Sequence, residues 1–190
     1  MEDEYSGLDE TTILAEVGKA LASFTGIESA IARLFKEFSG SDDFIKSDII
    51  MASIVSFDAR LSVCVNLEKD DPLPHPFHEI WSRLASRSQK LLKKRNALAH
   101  FQIAVMPNGN YAISPYYSMG RNWIDKGPLR TLSLEQVIDR RAEFAQHRDA
   151  LHWLLSKVQE SKGHLPASPV SANELIRWLQ DELSQNPVEQ

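Results

Sequence analysis

The chain has 190 residues, 21 Lys and Arg against 26 Asp and Glu, and a single cysteine. That length suffices for one buried core without covalent staples, and the formal charge of -5 argues against a protein that coats nucleic acid through global charge. The lone Cys64 rules out an intramolecular disulfide, and its run LSVCV reads as a small buried thiol in a reducing compartment. The start MEDEYSGLDE is acidic with no apolar stretch behind it, and no apolar run nears the roughly 20 residues of a membrane span. A cytoplasmic protein without membrane contact is expected.

From Thr11 to about Phe38, Ile13, Val17, Leu21, Phe24, Ile31, Phe35 and Phe38 recur at helical spacing, which predicts a long amphipathic helix. Gly26 is a point at which it can bend, and Ser39-Gly40-Ser41 closes it. Asp42 and Asp43 supply an acidic first turn for a second helix, carried to about Glu68 by Ile50, Ile54, Phe57, Leu61 and Cys64. The connector DDPLPHP stops it. A third helix is predicted from near Pro76 to about His100, with Phe77, Ile80, Trp81, Leu84, Leu91, Leu92 and Leu98 on its apolar arc.

Beyond it, FQIAV and YAIS flank PNGN, and the Asn-Gly pair signals a tight hairpin between two short strands. Ser133 with Gln136 has the capping-box pattern that opens a fourth long helix, running to about Val158. Ser161 to Ser171 reads as a linker, and Ser171 with Glu174 opens a short final helix bearing Ile176, Leu179 and Leu183. The organisation expected is a helical domain over 1–160, a linker over 161–170 and a terminal helix and tail over 171–190.

Arg95 falls near the middle of the arc made by Phe77, Leu84, Leu91 and Leu98 when residues are placed about 100° apart. A guanidinium there requires an acceptor, because an unpaired buried charge costs several kcal/mol, roughly. Glu28, on the first helix between Phe24 and Ile31, and Asp58 on the second are the two candidates for a supporting ion pair. One reading of Arg95 is purely structural, a buried pair that sets helix register. His100 stands five residues on, about 140° around an ideal helix, so the two side chains converge poorly within one chain. As a residue of the last turn, His100 also has a plain role in capping carbonyls and meeting the helix dipole.

The segment RNALAH, Arg95 to His100, resembles the motif of the HEPN family, in which an Arg and a polar residue precede a His near the end of a helix. Two long helices before the motif helix extend that resemblance over roughly residues 10 to 160. It implies a mainly α fold: an up-down bundle of four long helices, a short β-hairpin after the third, and a small C-terminal helix beyond the family pattern. It further implies a metal-independent endoribonuclease, needing no cofactor, in which two copies pair so that Arg95 of one faces His100 of the other. Arg95 and His100 would be catalytic, with Asn96 orienting the imidazole or holding a phosphate oxygen. A toxin or antiviral effector, with RNA as substrate and a cognate antitoxin or regulatory protein as partner, is the setting this suggests.

Arg83, Arg87, Lys90 and Lys94 share a helical face, with Lys93 adjacent, and offer a phosphate-binding stripe or an ordinary solvated face. Arg141 and Arg148 lie near the inward stripe of the fourth helix, placed for phosphate or for buried acids. The histidines at 75, 78, 147, 152 and 164 lack metal-ligand spacing, so no metal site is expected, and no glycine-rich nucleotide loop is present. The rival to the nuclease is a non-catalytic helical module of the same shape that binds a partner protein or RNA.

Overall fold

In the computed structural model, which describes residues 10–41, 43–74, 77–105, 111–115 and 131–164, five helices and one antiparallel hairpin are present. The first helix, α1 (Glu10–Ser39), shows why the pattern folds as it does. Ile13, Val17, Ala20, Phe24, Ile27, Ile31, Leu34 and Phe38 step by alternating fours and threes, and all are buried. The stripe passes through Ala20 and leaves Leu21 half-buried, which corrects the expected apolar set. The helix runs unbroken through Gly26 and ends at Gly40, whose φ of 61° suits the left-handed position after a helix.

The single second helix expected from the sequence is two: α2 (Phe44–Ser53) and α3 (Phe57–Asp70). Two caps explain the break. Asp43 accepts from the Lys46 amide at 3.0 Å and starts α2, while Ser56 accepts from the Ala59 amide at 3.1 Å and starts α3. Between them Ile54 and Val55 are β-branched and favour extended backbone, and the Arg60 Nε donates to the freed Ile54 carbonyl at 2.7 Å. The break re-phases the chain, so Met51 and Ser47 are buried and Ile50 is 50% exposed.

The motif helix α4 (Phe77–Ala99) leads directly into β1 (Phe101–Val105), which pairs antiparallel with β2 (Tyr111–Pro115) in a register that sets Ile103 opposite Ile113. Leu132 joins on the far side, exchanging both backbone hydrogen bonds with Ile113 at 3.0 and 2.7 Å. The capping box at Ser133 forms reciprocally: the Gln136 amide donates to Ser133 Oγ at 3.3 Å and the Ser133 amide to Gln136 Oε1 at 3.0 Å, opening α5 (Leu134–Ser161). The predicted PNGN turn, the 116–130 connection and the final helix lie outside the described residues.

Two compact units make up the chain. The first comprises Met1–Ile27 and Gln89–Arg148, and the second Glu28–Ser88 and Asp149–Gln190. In the first, the buried rings of Phe24 and Phe144 meet edge to face with centroids 5.4 Å apart. In the second, Phe38 and Trp81 do the same at 5.1 Å. Cys64 is fully buried there, donating to the Ile31 carbonyl at 3.6 Å, and burial pushes its thiol up to about 12.

Gly26 marks a close approach within the first unit. A Cβ at this position would lie 2.5 Å from Arg148 Cδ and 3.1 Å from its Cγ, so the arginine stem crosses α1 where only a hydrogen leaves room. Gly26→Ala is expected to yield none of the roughly 1 kcal/mol that Ala ordinarily contributes to a helix interior, whereas in an Arg148→Ala background that gain returns. Urea unfolding of the four variants checks this, and equal effects of Gly26→Ala in both backgrounds would refute the wedge.

Candidate functional site

α4 brings the motif to the end of the first unit because its apolar arc is buried up to Leu98 and the chain must then turn into β1. Arg95 is half-buried, and its guanidinium carbon stands 6.0 Å from the centroid of Phe24, within reach of a cation–π attraction. Its Nη1 donates to Asn96 Oδ1 at 3.2 Å. Asn96 is exposed, and its carbonyl accepts from the His100 amide at 3.1 Å, which holds the chain helical up to the histidine. His100 itself is exposed, one residue past the helix end. The three groups thus share one helix end, and among the described residues of its unit Arg95 finds an acceptor in its own neighbour.

The two acids expected to support Arg95 are assigned to the other unit. Glu28 is half-buried and belongs to the second unit, and Asp58 is exposed in the first turn of α3, also in the second unit. The basic stripe divides as well. Arg83, in the second unit, is ion-paired with Glu79, and Arg87 of that unit is half-buried. In the first unit Lys90 and Lys93 are exposed, but Lys94 gives both its hydrogen bonds to Glu143 on α5, at 2.8 and 2.6 Å. Lys94 thus ties α4 to α5 beside the motif.

The acids that matter structurally were not singled out from the sequence. Glu16, only 9% exposed, accepts from Lys19 at 2.7 Å and pairs with Arg141 at 2.7 Å, so Arg141 meets a buried acid as one of its two expectations had it. The Lys19 hydrogen bond, followed by the charges of Arg141 and Lys19, holds the Glu16 carboxyl below its ordinary range against the opposing effect of burial. In the second unit two buried glutamates are each met by a half-exposed histidine: Glu68 by His78 Nδ1 at 2.7 Å and Glu37 by His164 Nδ1 at 3.2 Å. Glu68 also accepts from the Leu73 amide at 3.1 Å, and Glu37 from Gln159 Nε2 at 2.9 Å. His78, in the first turn of α4, thus ties that helix to α3, and the Leu73 amide fastens the 71–74 connector to the same carboxylate. Glu68 continues the buried face of α3 that Phe57, Leu61 and Cys64 had marked in the sequence, and the misread residue is Ile50 on α2.

Trp81 is buried and Trp153 half-buried, with Lys157 Nζ 6.0 Å over the Trp153 ring; Trp123 and Trp178 lie outside the described residues. Among the described residues no three His, Cys, Asp or Glu are grouped to hold a metal ion, and no helix is long and apolar enough to cross a membrane. No protein-family model, curated protein or solved structure matches the chain.

A carboxylate held low contributes stability above its unfolded value, and that contribution disappears as the pH falls through its folded value. Glu16→Gln is accordingly expected to be less stable than wild type at pH 7, with the gap closing as the pH drops below about 4, the ordinary carboxylate range. Urea midpoints measured from pH 7 to 3 read this out, and a gap independent of pH would contradict the charge pairing.

Proposed function

We propose that the chain is a metal-independent endoribonuclease of HEPN type that acts as a homodimer, with Arg95, Asn96 and His100 as its working residues. The observation that carries this reading is the helix end itself, which bears an exposed imidazole and, five residues before it, a half-buried guanidinium bonded to an exposed amide. These are the groups that RNA cleavage by an internal nucleophile requires. His100 takes the proton of a ribose 2′-OH, the freed oxygen attacks the adjacent phosphorus, and the bond to the 5′-oxygen breaks as that oxygen takes up a proton. Arg95 meets the charge that grows on the phosphate oxygens. A DNA strand lacks the nucleophile and is spared. Because the two side chains diverge around α4, a second copy supplies the facing set, Arg95 of one chain toward His100 of the other across a twofold axis.

A second reading, a non-catalytic module that binds a partner protein, draws on the second unit, where Ile45, Ile49 and Val55 are 70%, 60% and 93% exposed on and after α2. One experiment separates the two. Labelled single-stranded RNA incubated with the protein in EDTA should be cut by wild type to 2′,3′-cyclic phosphate and 5′-hydroxyl ends. His100→Ala and Arg95→Ala should each lower the rate at least about 100-fold while keeping the wild-type helical signal and melting temperature. Intact RNA with wild-type protein, alone or at concentrations where it dimerises, would favour the interaction module.

A further inference from the structure

Arg140 on α5 stands out within the first unit. It is half-buried, and its Nη1 is buried with no hydrogen-bond partner among the described residues. Burial weakens the guanidinium's hold on its proton, and the negative charge of Glu143, three residues on, offsets only part of that effect. Both carboxylate oxygens of Glu143 accept from Lys94, so its negative charge is shared with a second cation. A buried N–H of a charged group left unmade is expensive, and a helical position facing the core would more readily carry an apolar residue unless an anion arrives to complete it.

The topology fixes where that anion would lie. α4 ends at Ala99 and continues into β1, while Leu132, two residues before α5, is paired to β2 on the other side of the same hairpin. The C-terminal end of α4 and the N-terminal end of α5 therefore both abut the hairpin, so the two helices run antiparallel through the Lys94–Glu143 contact. Three residues back from Glu143, Arg140 is displaced about 4.5 Å along α5 toward the hairpin, the direction in which α4 leads from Lys94 to His100. Around the helix it lies between Phe144, buried against Phe24, and Glu143, which faces Lys94. Arg140 therefore stands on α5 about one turn nearer the hairpin than the Lys94–Glu143 contact.

We infer that Arg140 binds a backbone phosphate of a single-stranded nucleic acid, next to the phosphodiester that the motif addresses. This rests on the ribonuclease reading for the identity of the ligand, and gives the site a contact from α5 that the motif does not contain. Planar and forked, the side chain can hold two phosphate oxygens at once. Its task is positioning: it sets the strand in register and leaves proton transfer to His100.

The test is a binding titration with an all-deoxy single-stranded oligonucleotide, which cannot be cut, run at several salt concentrations for wild type, Arg140→Ala and Arg140→Lys. Arg140→Ala should raise the Kd about tenfold and reduce the slope of log K against log salt by about one phosphate's worth. Arg140→Lys should restore the slope and only part of the affinity. The melting temperature of Arg140→Ala should stay at or above that of wild type, because a buried unpaired charge has been removed; a fall would mark Arg140 as a structural partner of Glu143. An unchanged Kd and slope in a wild type that cleaves RNA overturns the role of Arg140 and leaves the nuclease standing. A lost contact in a protein that never cleaves RNA preserves the phosphate site and removes the nuclease. Absence of any nucleic-acid binding by wild type overturns both.

Discussion

In the unit that bears the motif, the edge-to-face contact of Phe24 with Phe144 is what the surrounding groups depend on. It joins α1 to α5 with two rings that are essentially out of water, and Arg95 of α4 sets its guanidinium over the outer side of the same Phe24 ring. Among the described residues of its unit, the arginine is met by this ring and by the Asn96 amide oxygen, so an aromatic face and a neutral acceptor receive its charge there.

The buried acids of the described residues are paired. Glu16 takes Lys19 and Arg141, and Glu143 takes Lys94. In the second unit Glu68 and Glu37 take His78 and His164, with a backbone amide or side-chain amide added in each case. Among the described residues, Arg140 is a partly buried cation with a buried N–H unmet, while the paired acids Glu16 and Glu143 tie α1 and α4 to α5.

Helix existence was legible because it rests on periodic burial: α1, α4 and α5, the hairpin strands and the Ser133 capping box all stand where the apolar spacing and cap chemistry put them. The division of the 42–68 stretch was not. Its apolar residues fit one long helix nearly as well as two short ones, and the decision fell to Ser56 and to the carbonyl of Ile54, a local contest that hydrophobic periodicity does not register. The consequence is concrete, for Ile50, assigned to the core by the continuous pattern, is exposed once the phase resets.

The candidate site divides along the same line. Sequence alone determined that Arg95, Asn96 and His100 share the end of one helix, since their spacing and the periodic run before them depend only on local geometry. Tertiary structure decided which groups meet this helix end: the Phe24 ring at Arg95 and Glu143 on Lys94. Those partners lie far away along the chain, and which of them arrives is set by how helices pack, a choice that the spacing within any one helix does not encode.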